Sequence, residues 1–153
     1  MSHVAMGIKR RNSGFTLVEL LLSVTIIGML AGLSAPVYNE FMVRNDLDVT
    51  TQEVTAALRR AQTYARAMNG DSAWSVEIQS SAATLFKGTN FAGRNSNYDE
   101  TVSLPSTITI SGLTEVQFAK LTGAPNTAGD ITFTSNANDA RTMTINAKGM
   151  VQY

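Results

Sequence analysis

The sequence predicts an α+β fold, in which one long N-terminal α-helix precedes a small antiparallel β-sheet. Residues 20–35 are uncharged and mostly apolar, and apolar residues then recur at helical spacing from Leu47 to Met68. From Asp71 onward the sequence consists of short threonine-rich runs in which apolar and polar residues alternate. A helix followed by meandering strands is the element order of an α+β domain, with the helix packed on the sheet.

Composition limits the function classes. The 153 residues suffice for one domain, and 12 basic and 12 acidic residues give no net field to attract nucleic acid. There is no cysteine, and the one histidine is His3. If the N-terminus is removed, the mature chain has no Ser-His-Asp triad, Cys-His pair or ordinary zinc site. We therefore expect no enzyme, no catalytic residue, no metal and no cofactor.

The N-terminal segment has segregated charge. Lys9, Arg10 and Arg11 form a basic cluster, and Glu19 is then the only charged residue before Asn39. Because about 20 residues of helix cross a bilayer, residues 15–38 are long enough to do so. The basic cluster should stay in the cytoplasm, which sends the C-terminal part outward.

Three interpretations compete for this segment. A cleaved secretory signal peptide would use the small-x-small site Gly32-Leu33-Ser34, but Pro36 falls just after the possible cut and Glu19 interrupts the apolar region. A simple membrane anchor does not explain Glu19 either, since a carboxylate at mid-bilayer costs about 2.5–3.5 kcal/mol. The third interpretation gives this carboxylate a cationic partner.

Residues 11–20, RNSGFTLVEL, resemble the class III signal of type IV pilins and type II secretion pseudopilins. The resemblance implies that a prepilin peptidase cuts between Gly14 and Phe15 and that Phe15 is then N-methylated. It also implies that Glu19 is needed for assembly, and Pro36 falls where these proteins have a helix-bending proline.

The resemblance also implies a domain organisation and a set of partners. We expect a cleaved basic leader at 1–14, a transmembrane and assembly helix at 15–38, an amphipathic continuation at 39–69 and a globular β domain at 70–153. The implied partners are copies of the chain and other pilins, the prepilin peptidase and methyltransferase, the inner-membrane assembly platform and the cytoplasmic membrane. The precursor would be a single-pass inner-membrane protein with its C-terminal domain outside, and the product a cell-surface or periplasmic filament.

A physical hypothesis links two of these residues. Cleavage would create an α-ammonium on Phe15, and Glu19 lies four residues further on, on the same helix face. We expect Glu19 of an incoming subunit to pair with the Phe15 ammonium of its neighbour, because any other register strands a charge in an apolar environment. Removing residues 1–14 leaves nine basic and twelve acidic residues, a net charge of −3, which argues against a nucleic-acid partner.

The second half of the helix is predicted to pack on the chain's own sheet, with a homotypic coiled coil as the alternative. Its apolar stripe follows a four-three spacing, and the helix should end near Asn69-Gly70. The stripe comprises Leu47, Thr51, Val54, Leu58, Ala61, Ala65 and Met68.

The strands are predicted as three hairpins and a short last strand, with Trp74 buried. One face of the third hairpin is apolar, and its closing pattern resembles the H-type pseudopilin or FimT-like branch. The hairpins pair 74–78 with 83–86, 107–110 with 115–118, and 131–134 with 141–145, and the last strand is 150–153.

Several weaker signals remain open. The oxygen-rich stretches 95–100 and 136–139, and the surroundings of Asp130, fit turn chemistry better than an ordered calcium loop. A basic group of helix residues fits a solvated face, or pairing with acidic residues of neighbouring subunits, better than DNA contact; it comprises Arg59, Arg60 and Arg66. The functional alternatives are a monomeric single-pass membrane-anchored binding module with an extracytoplasmic β domain and a membrane-tethered hydrolase using Asp and Glu.

Overall fold

The computed structural model describes residues 14–153, without the side chains of residues 33–39. His3 and the predicted basic leader up to residue 13 lie outside the described residues, as does the side chain of Pro36. The chain divides into two compact units, Met1–Tyr38 and Asn39–Tyr153.

One helix, α1, runs from Leu17 to Arg66. Its range includes Pro36, and the bend expected there stays a prediction. A short 3-10 turn follows the helix at Asn69–Asp71, where Gly70 adopts a left-handed conformation.

The apolar stripe of the helix from Leu47 to Ala65 is buried, as its spacing predicts. Thr51 belongs to this stripe because its hydroxyl donates to the Leu47 carbonyl oxygen at 2.8 Å and leaves its methyl group for packing. Met68 was expected to be buried, and this is wrong: its side chain is 46% exposed. The helix has already ended at Arg66, and Met68 has a φ of 52°, so the chain turns away from the stripe.

Within residues 14–153, eight strands form two antiparallel sheets, which confirms the α+β class with its long N-terminal helix and antiparallel strands. The first sheet has the order β3-β2-β1-β5 and the second has the order β4-β6-β7-β8. The strands are β1 (Trp74–Gln79), β2 (Ala82–Lys87), β3 (Glu100–Ser103), β4 (Ile108–Gly112), β5 (Glu115–Phe118), β6 (Gly129–Ser135), β7 (Ala140–Ile145) and β8 (Val151–Gln152).

Two predicted hairpins are confirmed and one is wrong. β1 pairs with β2 and β6 pairs with β7, but β4 pairs with β6 while β5 pairs with β1. The chain leaves the second sheet at Gly112, whose φ is 99° and whose added Cβ would lie 2.1 Å from the Asp130 carbonyl oxygen. This crossing separates two strands that are neighbours in sequence.

The core is made of the inward faces of both sheets and the helix stripe. Trp74 is 4% exposed, as predicted, and its ring packs edge-on against Tyr64 at 4.8 Å between centroids. The third hairpin buries four apolar side chains as its alternation predicts, namely Ile131, Phe133, Met143 and Ile145.

The connection between β2 and β3 is packed on its own side chains. Phe91 packs edge-on against the buried Phe86, and the Arg94 guanidinium lies 3.5 Å from the Phe91 ring centroid. Arg94 also pairs with Asp99 at 2.7 Å, with both side chains largely buried. The connection is therefore an ordered part of the domain.

Candidate functional site

The helix begins two residues after Phe15, with a capping residue between them. Thr16 precedes Leu17, and its Oγ1 accepts a hydrogen bond from the Glu19 backbone N–H at 3.2 Å. A threonine followed three residues later by glutamate is the capping-box pattern, so the sequence itself contains the signal that marks Thr16 as the residue that caps the helix. Thr16 therefore determines where the helix starts, and with it the position of Glu19 in the first turn.

Phe15 and Glu19 are both exposed on the unit that contains them. Phe15 is 83% exposed, and Glu19 has no ion-pair partner in the part of the chain that the structure describes. A carboxylate in the first turn is favoured by the helix dipole. The two residues are thus available to groups on another molecule.

The first four turns of α1 expose apolar side chains around their whole circumference. An apolar surface of this extent is typical of an interface with a protein or a lipid. The large side chains at least half exposed are Leu17, Val18, Leu20, Leu21, Leu22, Val24, Ile26, Ile27, Met29 and Leu30.

The polar groups of this segment are satisfied within the helix. Ser23 donates to the Glu19 carbonyl oxygen and Thr25 donates to the Leu21 carbonyl oxygen, each at 2.7 Å. Gly28 and Gly32 have open space where a Cβ would stand, which leaves a small-xxx-small surface for close helix approach. The segment therefore suits an apolar environment apart from Glu19.

No helix within the described residues meets the length and hydropathy required to cross a membrane. The span predicted at 15–38 includes residues 33–38, whose side chains lie outside the description.

The three arginines near the end of the helix differ in their surroundings. Arg60 pairs with Glu100, and Arg66 donates to the carbonyl oxygens of Thr122 and Lys148 at 3.3 and 3.4 Å. Arg59 is exposed, with no ion pair among the described residues. Two of the three basic side chains thus have partners in their own chain, which a helix pattern alone does not predict.

The oxygen-rich stretches serve turns and local pairs. The Asn95 side chain accepts from the Asn97 backbone N–H at 3.1 Å and caps the 3-10 turn Ser96–Tyr98. Asp130 accepts from the Thr144 hydroxyl at 2.7 Å, and Asp139 pairs with Arg44 at 3.3 Å. No three or more His, Cys, Asp or Glu side chains between residues 14 and 153, residues 33–39 aside, are grouped to hold a metal ion.

Comparison with known proteins identifies the N-terminal segment. Residues 9–35 match the family described as the prokaryotic N-terminal methylation motif. Two fimbrial proteins of Pseudomonas aeruginosa are each 26% identical to the chain over 121 residues, which is 74% of this chain and 79% of the relative. No solved structure gives a significant match. The resemblance found in residues 11–20 is thereby confirmed.

Proposed function

We propose that this chain, whose methylation motif and fimbrial relatives support its assignment to the type IV pilin family, is a structural subunit of a helical pilus or pseudopilus. The observation that carries the proposal is the apolar circumference of residues 17–32, whose side chains its own chain leaves exposed. Packing many such helices side by side would cover this surface with copies of itself.

The first step is removal of the leader by a prepilin peptidase between Gly14 and Phe15. Gly14 and Phe15 precede the helix, and nothing lies within 4 Å of where a Gly14 side chain would be, so an extended backbone here has room for a protease cleft. Hydrolysis converts the amide nitrogen of Phe15 into an α-ammonium, and N-methylation of that nitrogen keeps its positive charge.

The second step pairs charges between subunits. The Glu19 carboxylate of an incoming subunit forms an ion pair with the methylated Phe15 ammonium of its neighbour. This ion pair fixes the axial register of the two helices. Mispairing would leave a carboxylate or an ammonium buried without a counter-charge, which is strongly unfavourable. The main effect of the pair is therefore to select one axial register of the two helices over the others.

Before assembly, the cytoplasmic membrane covers the apolar segment. The single-pass precursor holds its C-terminal domain outside, and assembly exchanges lipid contacts for helix contacts, aided by the open surfaces of Gly28 and Gly32. The energy for extraction comes from a cytoplasmic ATPase that acts through the inner-membrane assembly platform. The product is a cell-surface or periplasmic filament.

The experiment compares Glu19→Ala and Glu19→Gln with a control, Glu115→Gln, in cells that make the filament. Glu115 lies in β5, which belongs to the other compact unit. We expect both Glu19 variants to be cleaved after Gly14 yet at least tenfold depleted in the sheared filament fraction, while the control assembles normally. Without the Glu19 carboxylate, the Phe15 ammonium of the neighbouring subunit has no counter-charge. A cost of about 2.5–3.5 kcal/mol for an unpaired charge in an apolar environment corresponds to a change of about a hundredfold in the assembly equilibrium. Normal assembly of Glu19→Gln would refute the pairing.

A further inference from the structure

Within the unit Asn39–Tyr153, the start of the helix carries a stripe that is both apolar and acidic. Met42, Asp46, Val49 and Glu53 follow a four-three-four spacing and so share one face. Met42 and Val49 are exposed, and neither Asp46 nor Glu53 has an ion-pair partner in the described part of the chain. We name these four residues the acidic stripe.

At the end of the helix, two loops are fastened to its last turns. The Leu121 backbone N–H donates to the Ala65 carbonyl oxygen at 3.0 Å. Gln62 donates from Nε2 to the carbonyl oxygens of Gly123 at 2.9 Å and Lys148 at 3.0 Å. The side chains on these loops are therefore held in defined positions around the helix end.

The fastened loops and the residues after the helix expose three large apolar side chains. Leu121 is 65% exposed, Met150 is 55% exposed and Met68 is 46% exposed. Leu121 and Met68 also adopt left-handed φ angles of 74° and 52°. Non-glycine residues in this conformation are uncommon and concentrate at functional sites.

The same region has unbalanced positive charge. Arg66 donates only to backbone carbonyl oxygens, and Lys148 has no carboxylate partner among the described residues. The neighbouring Lys120 differs, because it pairs with Asp71. We name the five residues of this surface the basic tip: Met68, Leu121, Met150, Arg66 and Lys148.

We propose that the acidic stripe of one copy binds the basic tip of another copy within the filament. The two surfaces match in kind, since each presents exposed apolar side chains beside charges that have no ion-pair partner among the described residues. This inference rests on the proposed function, because it assigns a contact between subunits that the N-terminal helices have already brought together.

The position of the two surfaces means that the contact joins different copies. Asp46 and Arg66 are 20 residues apart on one helix, about 30 Å along its axis. Two copies in contact are therefore offset by about 30 Å along the helix direction. Because the two surfaces are different and the copies are offset along the axis, the contact repeats without closing into a ring, as a filament requires.

The first test uses cysteines, because the chain has none of its own. Asp46→Cys and Lys148→Cys are introduced together in the full chain, and sheared filaments are oxidised mildly and separated without reductant. We expect a ladder of dimers and higher multimers. The matched control combines Asp46→Cys with Thr109→Cys, which places the second thiol on the exposed face of β4, and should give no ladder. Filaments that contain the first pair but show no ladder above the control overturn the proposal.

A second test keeps the proposal falsifiable if the cysteine variants do not assemble. We expect Lys148→Glu and Glu53→Lys each to lower filament yield severalfold, and the double variant to recover at least half of the loss. A double variant no better than either single one overturns the contact. Absence of the wild-type chain from any filament overturns the proposed function as well, whereas normal filaments without cross-links or rescue refute only this contact.

Discussion

The two halves of α1 are both rich in apolar residues but differ in how those residues are distributed. In residues 17–32 they surround the helix and are exposed. In residues 47–65 most of them, though not Val49, form one stripe whose large aliphatic members, among them Leu58, are fully buried. The stripe has its partner in the same chain. The large apolar side chains of residues 17–30 pack against no other part of the chain that the structure describes, so we explain their sequence by contacts with other molecules.

Glycines repeat this contrast on a smaller scale. Gly28 meets nothing where its side chain would be. Gly149 has a φ of 76°, and an added Cβ would lie 2.2 Å from the Gln62 Nε2 atom and 2.9 Å from the Gly123 carbonyl oxygen. One glycine leaves space for a neighbour, and the other is required by the fold of its own unit.

The largest expected effect comes from truncating one leucine in each half. Leu58→Ala should lower the free energy of unfolding by about 2–5 kcal/mol, because it creates a cavity in a closely packed core. Leu22→Ala should change it by less than about 0.5 kcal/mol, because this side chain is exposed, but should reduce filament yield.

The measurement is denaturant unfolding of the full chain in detergent micelles, followed by the fluorescence of Trp74. Equal losses of unfolding free energy in the two variants would contradict the division of α1 into a self-packed half and an assembly half.

A smaller effect is expected for the two glycines. Gly149→Ala should cost about 1–3 kcal/mol of unfolding free energy, from the left-handed backbone and the clash with Gln62. Gly28→Ala should leave unfolding of the β-containing unit unchanged while weakening assembly. The same unfolding measurement, together with the filament yield of each variant, tests both expectations. A Gly149→Ala variant as stable as the wild type would show that the loop needs no glycine.

The smallest effect concerns a carboxylate pair on the first sheet. Glu77 lies directly opposite Glu115, and desolvation together with the Glu115 charge raises the pKa of Glu77 above its usual value of 4.5. Its folded pKa exceeds its unfolded pKa, so its contribution is most favourable below about pH 4.5 and is lost as pH rises through the folded value.

Glu77→Gln should therefore stabilise the protein at pH 7 by about 0.2–1 kcal/mol and flatten the fall in stability above pH 4.5. Melting temperatures of both proteins between pH 4 and pH 8 test this. If the melting temperatures of the two proteins change in parallel with pH, the carboxylate pair does not destabilise the folded state. A similar gain in melting temperature for Glu115→Gln would support the assignment of the effect to the Glu77–Glu115 pair.

Local patterns predicted much of the fold. The helix stripe and the pairing of β6 with β7 follow from periodicity, because burial of one face imposes a repeat on the sequence. The strand β3 was missed, since Glu100–Ser103 contains one large apolar residue, Val102. The false hairpin arose because the crossing at Gly112 depends on contact with a strand distant in sequence.

The candidate functional residues divide into a group that the sequence predicts and a group that it does not. The sequence alone predicted Gly14, Phe15 and Glu19, because other proteins are expected to recognise this segment as a linear motif. The basic tip was not predicted, since Leu121 and Lys148 reach the helix end through loops whose positions depend on the whole domain.

The central claim is that a cationic N-terminus is created at Phe15 for Glu19 to bind. Mass spectrometry of the intact protein from sheared filaments tests it most directly. We expect one species that begins at Phe15 and carries a methyl group on its α-nitrogen. A filament protein that retains residues 1–14, or one that begins at Ala35, would contradict the account.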